Sequence, residues 1–502
     1  MIMLCDASPR RHVFLCFKAV ADLFDMDTTP DRTSFASIWK LTWPQMLMML
    51  SHFFIGFVDV YVAGRIGRDV QASLGLITQC LFFFLVLAIA VGNGTSTAVS
   101  QSLGAGLPKR ARRYSGMSLI LALVFSALLL SVAFPLKRPV VSLLQVPQEL
   151  TDITDYFLGV YLLVIPAYYL LLITNAVFRA RKWVHVPLAS MILITVVNAI
   201  GDFGLGLGMW GLPELGYKGV AWATFGSVLA GTIFNMTVLW RTGFLTRDAF
   251  PPLRWIKRAF RFLFKVAWPA GAMQILWNTA SMVTFAIVAS LPLAPVDAMA
   301  GMTAGLRIEA ILFLPGFAFN LTASILTGHL LGAGKPEEAK RTGLRILALA
   351  CGSISLFGGV VWIFAPELAV LVSPEPGVQA QIIDYLFYNI LAIPFTVATM
   401  TMGGIMTGAG ATVYNLTIFG ISAWLLRLPT AYIMGHHIWQ DSSGVWVAML
   451  ISQIFQSSVM FCVFLFGNWQ RFAMRTGRNA RTSPAPSPNQ ITPGAAKNAP
   501  TV

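Results

Sequence analysis

Two acidic residues lie inside long apolar stretches of this sequence, where ionisable side chains are rare. Asp59 and Asp202 are these two acids, and Asn198 precedes Asp202 by four residues, which places both on one face of a helix. An acid near the centre of a membrane helix costs about 2.5–3.5 kcal/mol to insert, so it is rarely retained without a role. Two carboxylates and an amide could bind Na⁺ through oxygen atoms. They could equally hold a proton, because burial and a like-charged neighbour both disfavour the ionised form.

Each candidate has a plainer alternative. Asp59 could cap a helix end and meet water, and the glycines around Asp202 suggest that it approaches the membrane interface. Thr224 is a weak additional oxygen ligand, and a buried, backbone-bonded threonine is the competing interpretation. Arg307 and Glu309 form a secondary candidate, with structural ion pairing as the alternative. The sequence predicts no catalytic residue, no cofactor and no metal other than a coupling Na⁺ at Asp59, Asn198 and Asp202.

The composition indicates a membrane protein. Of 502 residues, 56% are hydrophobic and 11% are charged, and the mean hydropathy is +0.71, whereas soluble proteins carry about 25% charged residues. The net charge of +14 comes from cations in short loops between apolar runs, so membrane topology explains it better than nucleic-acid binding. The five cysteines show no metal-ligand or disulfide spacing. These features argue against a soluble enzyme or a nucleic-acid binder.

The elements that must position the acids are long apolar helices. The sequence predicts an all-α integral membrane protein with twelve spans, at 41–64, 74–103, 114–136, 152–174, 185–209, 218–240, 264–291, 298–331, 343–372, 381–406, 413–434 and 445–466. Each is long enough to cross a hydrocarbon core of about 30 Å at about 1.5 Å per residue. Asp59 and Asp202 lie at similar distances from the starts of helices one and five, so similar depths are expected.

Cations follow the even-numbered helices, as in the run from Lys109 to Arg113, which predicts that both termini are cytoplasmic. We expect a multi-pass protein of the plasma membrane, the inner membrane of a Gram-negative cell. Residues 1–38 are expected to form a cytoplasmic tail, with Met26 as an alternative start, and residues 471–502 a disordered one.

The two halves of the chain resemble each other. Trp43-Pro44 matches Trp268-Pro269, and the Leu-Gly-Ala-Gly run ending at Gly106 matches the run ending at Gly334. Two further matches keep the offset between 225 and 228 residues. With six spans in each half, the repeats are parallel, related by a pseudo-two-fold axis along the membrane normal. This predicts two six-helix lobes, 39–242 and 263–470, joined by a cytoplasmic linker, 243–262.

Several motifs resemble the multidrug and toxic compound extrusion (MATE) family. They are Pro44, the run DVYVAGRIG from Asp59, QSLGAG from Gln101, GLPELG from Gly211, GVAWAT from Gly219, HLLGAG from His329, and Asn198 with Asp202. The resemblance implies export of drugs or amphiphilic, often cationic, compounds in exchange for H⁺ or Na⁺. It also implies that Asp59, Asn198 and Asp202 form a cation site in the N-terminal lobe.

Phe203 departs from the family pattern, which often has proline there. Helix seven offers Gln274 and Asn278 but no acid, and helix ten has only Asp384. This favours a DinF-like branch coupled through the N-terminal lobe over a NorM-like branch. The expected partners are a small organic substrate, the coupling cation and the lipid bilayer, and the protein is expected to be a monomer.

Two other functions compete with this one. A lipid-linked saccharide flippase of the same superfamily is the second candidate, but its cavity would need cations rather than the acids found here. A membrane-embedded enzyme would need a catalytic cluster such as His-Glu-x-x-His, which the sequence lacks. Gly332-Ala-Gly-Lys335 is followed by proline and is no ATP-binding loop. An ion gradient remains as the energy source.

Overall fold

The apolar runs form helices because a chain inside lipid must satisfy its own backbone hydrogen bonds. In a computed structural model, the structure describes residues 34–143 and 147–474, without the side chains of Val140, Leu143 and Arg247. These residues contain no strand. Most of the predicted tails, 1–33 and 475–502, lies outside the described residues.

Twelve of the described helices are long and apolar enough to span a membrane, which confirms the predicted fold class. We number them α1 Phe35–Ile66, α2 Arg68–Gly104, α3 Pro108–Ala133, α4 Gln148–Ala180, α5 His185–Gly206, α6 Tyr217–Arg241, α7 Leu253–Ala289, α8 Pro295–Gly332, α9 Pro336–Ile363, α10 Pro376–Ala409, α11 Thr412–Ile438 and α12 Ser442–Phe466. Short helices at Lys137–Leu143 and Ala365–Val372 follow α3 and α9.

The start of α7 differs from the sequence-based expectation. The helix begins at Leu253, so ten residues of the predicted linker are its first turns. Cations and aromatic residues alternate through these turns, including Trp255, Arg258 and Phe262. A helix with this composition suits a membrane interface, where its apolar side chains contact lipid and its charged side chains contact water.

The internal repeat is visible in the turns and in the helix packing. Gly106 and Gly334 have φ of 71° and 75° after α2 and α8, and Pro108 and Pro336 then open α3 and α9. Glycine adopts this left-handed conformation without the steric cost that a side chain would add. The contacts of α2 with α4 and of α4 with α6 recur as contacts of α8 with α10 and of α10 with α12.

The two lobes meet along one seam, which we define as the packing of α1 and α2 against α7, α8 and α10. Gln101 Nε2 donates to the Gly408 carbonyl at 2.8 Å, and Thr97 Oγ1 donates to the Thr407 carbonyl at 2.8 Å. A Cβ added at Gly104 would overlap the backbone of His329. These contacts lie at the cation-rich end of the molecule, where α2 and α8 end and α3 and α9 begin.

The opposite half of the molecule is open between the lobes. On α1 the exposed residues of this half are His52, Phe53, Phe54, Gly56, Phe57, Val60 and Tyr61, which together span an arc of about 200° at about 100° per residue. The contacts between the lobes named above, and those of Thr42 and Gln45 of α1 with Thr322 of α8, all lie in the half of the molecule nearer the cation-rich end. The lobes are therefore closed at the cation-rich end and separated at the other.

The seam yields a first prediction. Gly104→Val places two methyl groups where the backbone of His329 lies, and overpacking of this kind costs about 1–3 kcal/mol. The closed seam should open, and spin labels on cysteines at Lys109 and Lys335 should move apart in a background without native cysteines. Double electron–electron resonance measures this distance.

Gly226→Val is the matched control, because the space beside Gly226 is empty for at least 4 Å. It should keep the wild-type distance. A wild-type distance in Gly104→Val as well would show that the seam does not hold the lobes together.

Candidate functional site

The acids of α1 and α5 meet in the N-terminal lobe. The carboxyl group of Asp59 faces the carboxyl group of Asp202 and the amide of Asn198, close enough for the three side chains to interact. Asp59 Oδ1, both carboxyl oxygens of Asp202, and both polar atoms of Asn198 are buried without a hydrogen-bond partner among the described residues. Two ionised carboxylates are both acceptors, so they cannot bond to each other. A proton or a metal cation between them would satisfy these atoms.

The local structure of α5 explains why the acids can approach. The helix changes to a π-helical turn at Asp202–Gly206, a feature that occurs often at functional sites. A Cβ at Gly201 would overlap Ala223 of α6, and one at Gly206 would crowd Val62 of α1. Small residues on this face therefore let α5 pack closely on both neighbours.

Asp202 is fully buried within the N-terminal lobe. It and Asn198 are both 0% exposed, whereas Asp59 is half-buried. Asp202 is therefore covered by protein, although it lies only four residues before the end of α5, and its approach to the membrane interface stays a prediction. The glycines at 204 and 206 belong to the π-helical turn, and Leu212 folds back against Gly204.

Two tyrosines of α4 complete the surroundings and were missed in the sequence. Tyr161 and Tyr168 lie close enough to Asp59 to be affected by its charge. The Tyr161 hydroxyl is 3.5 Å from Thr224 Oγ1, and Thr224 donates to the Val220 carbonyl at 3.2 Å. Thr224 therefore bonds to the backbone, as the alternative to an ion-ligand role predicted, although its side chain borders the site. The spacing of Tyr161 and Tyr168 by seven residues, about two helical turns, places both tyrosines on one face of α4, and this pattern could have identified them from the sequence.

The C-terminal lobe contains a different buried cluster. The Tyr385 hydroxyl donates to Glu309 Oε2 at 2.6 Å, and Glu309 is 6% exposed. Arg427 on α11 lies near enough to interact with the charge of Glu309, and its Nε donates to Ser452 Oγ at 2.8 Å. Arg307 is exposed and outside this cluster. The structure thus pairs Glu309 with α10 and α11 rather than with Arg307.

The two clusters occupy related places in the repeat. Arg427 follows Asp202 by 427 − 202 = 225 residues, which is within the repeat offset. Both residues belong to π-helical turns, at Asp202–Gly206 and at Ile421–Arg427. The N-terminal lobe carries an acid where the C-terminal lobe carries an arginine. A cation is therefore attracted to the first site, whereas in the second site Arg427 already lies near the carboxyl group of Glu309.

The remaining polar candidates do not join either cluster. Asp384 accepts a hydrogen bond from Ser443 at 2.8 Å, near the start of α12. Asn278 donates to the Gln274 carbonyl within α7. Among the described residues, no group of three or more His, Cys, Asp or Glu side chains could hold a metal ion. Any Na⁺ here would rely on amide and hydroxyl oxygens as well as the two carboxylates.

Comparison with known proteins settles the family. Residues 44–203 and 269–433, the greater part of both lobes, match the sequence model of the MatE family. The chain belongs to the MatE family. MatE proteins are transporters, so the chain is a multi-pass membrane transporter and not an enzyme.

The relatives agree with this assignment over nearly their whole length. The chain is 25% identical to the probable multidrug resistance protein NorM of Thermotoga maritima, over 87% of the chain and 93% of the relative. It is also 25% identical to the multidrug resistance protein PmpM of Pseudomonas aeruginosa, over 90% and 95%. A mutant of the Vibrio cholerae MATE transporter VcmN shares the fold, with a TM-score of 0.79 and 21% identity, over 86% and 98%.

The facing carboxylates yield a second prediction, which concerns stability. Neutralising either acid in Asp59→Asn or Asp202→Asn should raise the melting temperature at pH 8.5 in Na⁺-free buffer, because it removes the repulsion between buried like charges. Both substitutions relieve the same repulsion, so the double variant should gain less than the sum. We expect a coupling on the order of 0.5–3 kcal/mol.

Tryptophan fluorescence of the purified protein during heating measures this coupling. Asp384→Asn serves as the control, since Asp384 bonds to Ser443 far from Asp59, and it should add independently to either variant. Full additivity of Asp59→Asn and Asp202→Asn would mean that the two carboxylates do not interact.

Proposed function

We propose that this chain exports drugs or other amphiphilic organic compounds, often cationic, from the cytoplasm in exchange for H⁺ or Na⁺. The coupling site consists of Asp59, Asn198 and Asp202. Glu309 is the second candidate for the residue that binds the coupling cation, and Arg307 is no longer a candidate because it is exposed. The membrane is the plasma or inner membrane. Named relatives that are multidrug resistance proteins support this cargo class.

One observation carries the proposal, namely the two facing carboxyl groups with unpartnered buried oxygens. A buried polar atom without a partner costs about 1–3 kcal/mol, and more when it is charged. A transported cation removes that cost only while it is bound. The site therefore has different free energies when it is loaded and empty, and such a difference is what coupling to a gradient requires.

The cation-rich end is the cytoplasmic side by the positive-inside rule. Its loops carry Lys109, Arg110, Arg112 and Arg113 after α2, and Lys335, Lys340 and Arg341 after α8. The seam then closes the cytoplasmic side, and the cleft opens outward. Both termini lie in the cytoplasm.

Helix α1 links the cation site to the seam. Asp59 lies about 21 Å along the helix from Gln45, at about 1.5 Å per residue. Thr42 Oγ1 and Gln45 Nε2 both donate to Thr322 Oγ1 of α8, at 3.0 Å and 2.9 Å. Pro44 lies between them and lacks the amide hydrogen that a straight helix uses, so α1 can bend there. Cation binding at Asp59 is thereby connected to the residues that hold the lobes together.

The cargo surface is the aromatic part of α1. Phe53, Phe54, Phe57 and Tyr61 are 40–60% exposed beside the cleft. Aromatic faces attract organic cations and adapt to varied apolar shapes. Met48 lies outside this surface, because it is only 4% exposed and packs in the core of the lobe.

Three finer assignments follow. The lack of an acid in α7, and the engagement of Asp384 with Ser443, favour a DinF-like branch. Both lobes belong to one chain, so a monomer suffices. The alternative flippase function would place cations around a pyrophosphate group, whereas the charged side chains that meet between α1 and α5 are acids.

Transport in inside-out vesicles tests the coupling site. Ethidium should accumulate in wild-type vesicles when a proton or a sodium gradient is imposed separately, and the effective gradient identifies the coupling ion. Asp59→Asn and Asp202→Asn should both reduce gradient-driven uptake to background. We expect equal severity because both acids face each other, instead of the weaker effect that an interfacial Asp202 would produce.

Asp384→Asn is the matched control, because it makes the same substitution at an acid outside the coupling site. This variant should retain wild-type transport. All variants should appear in the membrane at similar levels. Wild-type uptake by Asp59→Asn would remove the N-terminal site from the mechanism, and Glu309 would then be the residue to test.

A further inference from the structure

A basic pocket outside the transport site lies at the cation-rich end of the seam. It has a volume of about 520 Å³ and is formed by the start of α3, the first turns of α7 and the last described residues, 471–474. Its charged lining residues are Arg110, Arg258, Lys265 and Arg471, and its described lining includes no acid.

The positive charge of the pocket is uncompensated. None of its four cations takes part in the ion pairs found among the described residues. Arg110 Nε donates to Ser102 Oγ at 3.0 Å, but its Nη2 is buried without a partner in the described part of the chain. The sequence from 475 to 502 adds further cations and no acid. Four cations around one cavity repel one another, so an anion would relieve them.

The walls of the pocket suit a ligand at the membrane surface. Lys265 Nζ lies 4.5 Å from the centre of the Phe472 ring, and the Tyr114 and Trp255 rings meet edge to face at 5.0 Å. Aromatic residues and cations together mark the depth of lipid headgroups. Arginine pairs with phosphate through two parallel hydrogen bonds. Because the described lining of the pocket contains no carboxylate, its arginines are available for such bonds.

We propose that this pocket binds the phosphate of an anionic phospholipid headgroup, and that the bound lipid favours the closed seam. A soluble phosphate ester offers the same chemistry. The amphipathic first turns of α7 favour the lipid, because they place the pocket at the surface of the leaflet on the cation-rich side.

The pocket is joined directly to the seam. The Met474 amide donates to Gln101 Oε1 at 2.8 Å, while Gln101 Nε2 donates to Gly408 at 2.8 Å. Arg110 belongs to the N-terminal lobe, and Arg258 lies on the first turns of α7, which pack against the core of that lobe. Arg471 lies on the other side of the seam, because the neighbouring Phe472 packs on Tyr414 of α11 with ring centres 5.5 Å apart. A ligand held by all three needs the lobes together, so it shifts the equilibrium toward the closed seam.

The experiment uses the purified full-length protein with phosphatidylglycerol as the probe. Native mass spectrometry should show phosphatidylglycerol adducts on the wild type that phosphatidylcholine does not form. The triple variant Arg110→Gln, Arg258→Gln, Arg471→Gln should lose at least about tenfold in apparent affinity, since each cation near an anionic lipid contributes to binding. Arg254→Gln, Lys257→Gln, Arg261→Gln is the matched control, because these three cations are exposed on α7 and outside the pocket.

Two further measurements keep the result decisive. Arg471→Gln alone changes an exposed residue and should lower the affinity while leaving the melting temperature unchanged, which separates binding from folding. Spin labels at Lys109 and Lys335 should report a narrower distance distribution in phosphatidylglycerol nanodiscs than in phosphatidylcholine nanodiscs, for the wild type and the control but not for the triple variant.

The outcomes separate the alternatives. Equal adducts on the triple variant and the control would overturn the site. Glycerol 1-phosphate that displaces phosphatidylglycerol at equal concentration would assign the pocket to a soluble phosphate ester and overturn the lipid assignment. Neither result depends on Asp59 or on ethidium transport, so failure here is distinguishable from failure of the coupling site.

Discussion

A charge buried in a bilayer protein must be compensated within the protein or by a ligand, because lipid offers it nothing. The two lobes meet this constraint in opposite ways. In the C-terminal lobe, Glu309 accepts a hydrogen bond from the Tyr385 hydroxyl and lies near Arg427, so its charge is compensated permanently within the protein. In the N-terminal lobe, Asp59 and Asp202 face each other, and their compensation must come from a proton or a metal cation.

This difference breaks the symmetry of a repeated fold at one related position. The π-helical turns of α5 and α11 contain Asp202 and Arg427, which are 225 residues apart. The backbone is repeated and the charge is reversed. A transporter made of two similar lobes can therefore place its ion chemistry in one lobe and keep the other as a fixed partner.

Motion of the lobes requires that the seam be strong but local. The glycines of α2 and α8 bring two backbones into contact, and the hydrogen bonds of Thr322, Thr407 and Gly408 lie in the same half of the molecule. Helix α1 carries Asp59 toward one end and Gln45 toward the other, with Pro44 beside Gln45. A change of charge at Asp59 can thus be transmitted along α1 to the contacts of Gln45 with the other lobe. The basic pocket lies at the same end of the seam, so a bound lipid would act on the same contacts.

The sequence by itself determined the twelve helices, the parallel repeat, the family and the two acids, because each depends on local pattern. Hydrophobic run length predicts a membrane helix, and repeat spacing is read from residue order. Only the tertiary structure decided the burial of Asp202, the approach of Tyr161 and Tyr168, the place of Glu309 beside Tyr385, and the basic pocket. These depend on contacts between helices far apart in sequence. The glycines near Asp202 show the limit most clearly, since the same residues suit an interfacial turn or close helix packing. The neighbouring helices α1 and α6 select between them.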